Sequence, residues 1–152
     1  MRLFRWLFDT ESGNRIEHPI LGEAVYIKAK LGSYWEVETE VEGIPFTLIV
    51  DSQDRMEPTA AQVAFFERFA AEPGLAFAKV APLLVPEYER WTKHAFPSEW
   101  RNAVSFVGMS VPLEGSEHSK YELSFEGPRG AGSAHFACTV EHGTTTKIEV
   151  ST

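Results

Sequence analysis

Two stretches in the first third of the chain alternate apolar and polar residues with the period of a half-buried strand. In one, Val25, Ile27, Ala29 and Leu31 alternate with Tyr26, Lys28 and Lys30; in the other, Trp35, Val37, Thr39 and Val41 alternate with Glu36, Glu38, Glu40 and Glu42. Residues opposite each other in a hairpin share a face of the sheet, which limits the turns that fit. A two-residue Gly32-Ser33 turn sets Lys30 against Trp35 and mixes the faces. A three-residue loop, Gly32 to Tyr34, sets Leu31 against Trp35, Ala29 against Val37, Lys30 against Glu36 and Lys28 against Glu38, and this register is expected. A two-residue Glu42-Gly43 turn then sets Val41 against Ile44, Thr39 against Phe46, Val37 against Leu48 and Trp35 against Val50, completing a three-strand meander.

The period lengthens after residue 58. Thr59 is placed to cap a helix, with Gln62 reaching back three residues later as a capping box, and Val63, Phe66 and Ala70, flanked by Phe65 and Phe69, give a broad apolar face. Pro73-Gly74 ends this helix. A second helical stretch follows, and because Pro82 and Pro86 each remove an amide donor it is expected to be kinked or divided, with Pro86 opening a piece that carries Tyr88 and Trp91. A short turn of helix is expected from Ser98 to Asn102. Strands are expected near 104–113, 120–126, 134–141 and 145–150, with Val107, Met109, Val111, Tyr121, Leu123, Phe125, Phe136, Cys138, Val140, Ile148 and Val150 inward. The sum is a single α+β domain over 1–152: a mainly antiparallel twisted sheet of six to seven strands, with two to three helices inserted after the N-terminal meander and packed on one face.

Composition narrows the partners. The chain has 152 residues, 22 Asp plus Glu against 14 Lys plus Arg, and a net charge of -8. That balance disfavours nucleic acid and anionic membrane surfaces, which reward clustered cations, and leaves a basic macromolecule as the natural counterpart. Cys138 is the only cysteine, so no intramolecular disulfide forms, which fits a reducing compartment. Met1 to Phe8 has a faint likeness to a signal peptide, but Arg5 interrupts the apolar run and Asp9 ends it. A cytoplasmic location is expected.

Candidate chemistry is sparse. Alternation places Glu36, Glu38, Glu40 and Glu42 in a row on one face; it reads either as a solvated strand face that discourages edge aggregation or as a docking stripe, with Tyr26, Tyr34 and Ile49 adding apolar contact. Asp51, Asp54 and Glu57 cluster before the capped helix, where carboxylates favour its positive end, and their spacing is not that of an EF-hand. His135, Cys138 and His142 have zinc-ligand chemistry, but strand alternation turns His135 away from Cys138, so a buried structural cysteine and no metal are expected. His94 lies among Trp91, Phe96 and Trp100, with Glu99 nearby, and reads as a packed histidine at a helix end or as a tuned acid or base. No nucleophile elbow, phosphate loop, dinucleotide fingerprint or zinc-protease helix occurs, and the glycine-rich run 127–132 leads into a strand, so Arg129 at its tip is a weak candidate for touching a partner.

The strand meander, the Asp-rich turn, the Pro58-Thr59-x-x-Gln62 helix start, the second helix ending in aromatics and the hairpin around Glu141-His142-Gly143 together resemble a group of uncharacterised small bacterial domains. Some of these look like immunity proteins of polymorphic toxin systems. The resemblance runs from about Pro19 to Val150 and carries over no catalytic residues. Joined to the acidic balance and the alternation above, it leads to the expectation of a non-enzymatic, cofactor-free interaction domain of the immunity-inhibitor type that binds a basic effector protein through its acidic sheet face, the residues read as that face being Tyr26, Tyr34, Glu36, Glu38, Glu40 and Glu42. The alternative is a small hydrolase or ligand-binding domain whose site lies between helices and sheet, using His94 with Glu99 or Asp51 with Asp54.

Overall fold

In the computed structural model, described here for residues 14–30, 32–128 and 133–152, the polar and apolar periods resolve into one eight-stranded sheet and two helices. The strands are β1 Arg15–His18, β2 Gly22–Ala29, β3 Gly32–Val41, β4 Ile44–Ser52, β5 Ser105–Val111, β6 Tyr121–Gly127, β7 Ala134–Glu141 and β8 Thr144–Ser151. They lie side by side in chain order, as two antiparallel meanders of four strands joined where β4 runs parallel to β5. Parallel neighbours need a crossover of a dozen residues or more, and the two helices, α1 Ala60–Ala71 and α2 Pro73–Thr92, supply it. The signal-like Met1 to Phe8, Leu31 and Arg129 lie outside the described residues.

The β3–β4 register is the expected one in all four pairs, from Val41 with Ile44 to Trp35 with Val50. Glu42 and Gly43 form the two-residue turn with positive φ at both positions, the backbone twist a tight hairpin needs. The β2–β3 register differs from expectation. Tyr26 pairs with Trp35, Lys28 with Ser33 and Ala29 with Gly32, so the two strands close at Ala29 and Gly32, and Gly32 to Tyr34 belong to β3 rather than to the turn. This shift turns β2 over. Tyr26 now packs its ring edge-on against Trp35 at 5.2 Å on the helix side, and the Trp35 indole N–H donates to the Met56 carbonyl at 2.9 Å. Packing of two large aromatics outweighs the Lys–Glu pairs that alternation favoured. β1, a short strand before Gly22, was not expected; it makes the first meander four-stranded and the sheet one strand larger than the upper expectation.

Both helices cover the sheet face that presents Trp35, Val37, Phe46, Leu48, Met109, Leu123, Phe125 and Phe136, against which α1 sets Val63 and Phe69 and α2 sets Val80, Leu84 and Tyr88. The Thr59 capping box forms as expected, with Thr59 Oγ1 accepting from the Gln62 amide and Gln62 Oε1 accepting from the Thr59 amide. Gln62 also does something the capping pattern does not reveal. It is 1% exposed, and its Nε2 donates to the carbonyls of Asp51 at 2.8 Å and Pro112 at 3.2 Å. α2 is one continuous helix of 20 residues rather than a divided one. Pro82 and Pro86 are exposed, so the carbonyls of Ala78 and Pro82 that lose their intrahelical donors lie on the solvent side. The aromatics after α2 fold back as a cover: Phe77 stacks on Phe96 at 5.6 Å and on Trp100 at 5.1 Å, with Trp100 in a short 3₁₀ turn, Trp100–Asn102, close to the expected position.

All the expected inward residues of the second meander face the helices except Val107. A β-bulge between Phe106 and Gly108 gives β5 an extra residue, so Phe106 enters the core and Val107 turns to the other face. Cys138 is buried in β7, His135 is on the opposite face and His142 occupies the β7–β8 turn, so the three do not converge.

Two contacts are open to direct test by urea denaturation. A Cβ on Gly127 would sit 2.1 Å from the Ala103 carbonyl oxygen, so Gly127→Ala is expected to lower stability by about 3 kcal/mol, at the upper end of overpacking costs. Thr59→Ala removes one cap bond and should cost about 1 kcal/mol. Gln62→Leu strands two buried carbonyls besides, and should cost roughly 2–4 kcal/mol.

Candidate functional site

Because both described helices sit on one face, the other face of β4–β7 carries a groove of about 930 Å³. Strand alternation selects what lines it. β4 contributes Pro45, Thr47 and Ile49; β5 contributes Ser105, Val107 and Gly108; β6 contributes Glu122, Ser124 and Glu126; and Glu38 and His135 enter from the flanking strands. The floor is thus apolar or small and the walls are acidic. At Gly108 an added Cβ would stand 3.0 Å from the Thr47 carbonyl, so glycine keeps the floor low where β4 and β5 pair. The bulge that displaced Val107 from the core is also what puts its side chain here.

The acidic groups differ in how they are held. Thr47 Oγ1 donates to both carboxylate oxygens of Glu38 at 3.2 Å, fixing the half-buried side chain against the wall. Glu126 Oε1 lies 3.2 Å from His135 Nδ1 across the β6–β7 pair. Glu122 has an open tip, yet the groove withdraws enough water to raise its carboxyl above the usual range; His135 opposes this and Glu149 adds to it. The Cys138 thiol beneath is pushed up to about 12 by burial, with the Glu122 charge adding.

The six residues expected to form a docking stripe do not stay together. Glu36, Glu38 and Glu40 share the groove-side face of β3, but Glu36 is 5% exposed, Glu38 is half-buried and Glu40 is open. Glu42 leaves the row: it sits in the turn and makes a two-pronged contact with Arg101, at 3.1 Å from both Nε and Nη2. Tyr26 faces the helices, buried against Trp35 with the Arg55 guanidinium 5.1 Å from its ring centre, so it is a core residue rather than an exposed anchor. Tyr34 is half-buried opposite Asp51, and its hydroxyl is raised by burial and by Glu36. Lys28 and Lys30 do not oppose the glutamates. The register shift of β2 and a contact 59 residues away in sequence account for these differences, and neither is visible in the alternation of β3.

The alternative site residues are separated as well. His94 is exposed beyond the end of α2; Phe96 and Trp100 pack inward while Trp91 stays exposed, so His94 is not the packed histidine expected there. Glu99 caps the 3₁₀ turn by accepting from the Arg101 amide at 3.3 Å. Asp51 is half-buried at the end of β4 with its carboxyl raised by burial and then by Glu114, whereas Asp54 is exposed in a turn at positive φ. Among the described residues no group of His, Cys, Asp and Glu is arranged to hold a metal ion. A second cleft, of about 660 Å³, lies between the helices and the start of β8, lined by Phe69, Leu75, Pro82, Leu83 and the Arg68–Glu117–Lys79 cluster. No single described helix is long and apolar enough to cross a membrane. Glu122, Glu126 and His135 were not expected in a site; their alternation on β6 and β7 was readable, but only the β4–β5 junction brings them opposite Glu38.

Comparison with protein families, curated proteins and solved structures finds no match for this chain.

The raised carboxyl of Asp51 means that the folded state holds its proton more tightly than the unfolded chain. Its contribution is therefore present below the ordinary carboxylate range, about pH 4, and is lost as pH rises through the folded-state value. Asp51→Asn is expected to raise the urea midpoint at pH 7 relative to the native chain and to leave it nearly unchanged at pH 3.5.

Proposed function

We propose that this protein is a non-enzymatic interaction domain that seats a basic segment of a partner protein in the acidic groove of its sheet, acting as an inhibitor of the immunity type that its sequence resembles. The observation that carries this reading is the groove itself: a low apolar floor over β4 and β5 with the carboxylates of Glu38, Glu122 and Glu126 standing along its walls. Apolar floor and charged wall are the two requirements for holding Lys or Arg side chains, whose stems prefer apolar surface while their heads seek carboxylate. The net charge of -8 extends the attraction beyond contact and speeds encounter with a cationic partner. Glu40 and Glu149 lie on the same face outside the groove and add to that field. Of the residues expected from sequence, Glu38 stays in the groove wall, Glu40 serves as rim charge, and Glu36, Glu42, Tyr26 and Tyr34 have structural surroundings of their own.

The test is a fluorescence-anisotropy titration with a labelled Lys/Arg-rich peptide and an acidic peptide of equal length. The basic peptide is expected to bind at low ionic strength and to weaken with added salt, the acidic one not to bind. Reversing the two exposed wall charges, Glu122→Lys with Glu126→Lys, should weaken the basic peptide by about tenfold or more, equivalent to 1.4 kcal/mol. Equal binding of the two peptides, or affinity unchanged by the reversal, would overturn the reading.

A further inference from the structure

We propose that β8 is a self-association edge, along which two copies of this chain pair antiparallel about a two-fold axis through Ile148. The starting point is the sheet order. β8 hydrogen-bonds to β7 on one side, and among the described residues no strand pairs with its other side, which leaves eight residues of edge backbone. An edge of this length with no proline is the kind that recruits another strand unless something discourages it. The device present here is a bulge: Val140 pairs with Thr145 and Thr139 with Lys147, so Thr146 is the extra residue and the regular ladder begins after it.

What remains is a strand whose sequence complements its own reverse. With Ile148 opposite Ile148 of a second copy, Lys147 stands opposite Glu149 and Glu149 opposite Lys147, all on the groove-side face, while Ile148 meets its twin on the helix side. Moving the axis to Lys147 or to Glu149 places like charges against each other, so charge favours Ile148 over its two neighbours as the axis. Within one chain Lys147 Nζ and Glu149 Oε1 are 2.6 Å apart with about two-thirds of each side chain exposed, and both are free to swing to a cross-strand partner. Surface beside the edge also fits a second copy. Ile148 and Val150 are only partly buried, and the cleft lined by Leu75, Pro82 and Leu83 of α2 opens next to Thr144 and Thr145. A two-fold interface uses one patch twice, so every one of these features counts on both sides. The pairing is independent of what the groove binds.

Light scattering and native mass spectrometry test the arrangement. The native chain is expected to reach twice 17.1 kDa as concentration rises from micromolar toward millimolar. Lys147→Glu and Glu149→Lys each oppose like charges and should each stay monomeric, with circular dichroism confirming that these surface variants fold. Mixed together they restore both opposite-charge pairs across the axis, although within each chain residues 147 and 149 remain like-charged, so a heterodimer is expected from the mixture alone. A native chain that stays monomeric throughout, single variants that dimerise as the native chain does, or a mixture that forms no heterodimer would each overturn the proposal.

Discussion

The junction of β4 and β5 is the constraint from which the rest of this architecture follows. Among the described residues it is the single parallel pair in the sheet, and a parallel pair demands that the chain leave one end of the sheet and return to the other. α1 and α2 make that passage on one face, which places the core there, and neither of these two helices covers the opposite side of β4–β7. Gln62 ties the passage to the junction. From the first turn of α1 its amide nitrogen reaches the carbonyl of Asp51 at the end of β4 and that of Pro112 just past β5. One side chain thus caps a helix, closes off two strand ends and fixes where the helix meets the sheet. A buried amide in that position is favourable because all its bonds are made, and it specifies the join more sharply than apolar contact could.

The groove inherits its character from the same junction. Setting β5 beside β4 brings β6 and β7 to the side of the first meander, so glutamates from distant parts of the sequence line a common hollow. Two small features shape it: glycine at 108, where the Thr47 carbonyl would crowd a side chain, and the bulge at Val107, which sends an apolar group to the floor. Charge is concentrated where burial is incomplete, with Glu122 and Glu126 exposed and Glu38 half-buried.

Much of the frame was legible in the sequence. Strict alternation located β3 and the last three strands, and the Glu42-Gly43 turn fixed the β3–β4 register because its two residues accept positive φ. Thr59 and Gln62 announced the start of α1. What alternation could not decide was which face of β2 points inward, since Val25, Tyr26 and Ile27 are all buried and only the Tyr26–Trp35 contact breaks the tie. The prolines of α2 misled for a related reason: their cost depends on whether the freed carbonyls reach water, a property of the helix's exposed side rather than of its composition. The candidate site was the least legible part. Its residues are unremarkable within their own strands and acquire meaning from the β4–β5 pairing, and the Glu42–Arg101 contact joins a hairpin to a loop that no local pattern connects.

Burial of Cys138 has a bearing on where such a molecule can work. The thiol sits under the sheet with its proton held far above neutral pH, so the thiolate that oxidants and disulfides attack is scarcely formed. This one sulfhydryl is therefore shielded from thiol chemistry for as long as the chain stays folded, and the same atom becomes a chemical witness, taking up a thiol label only when the second meander opens.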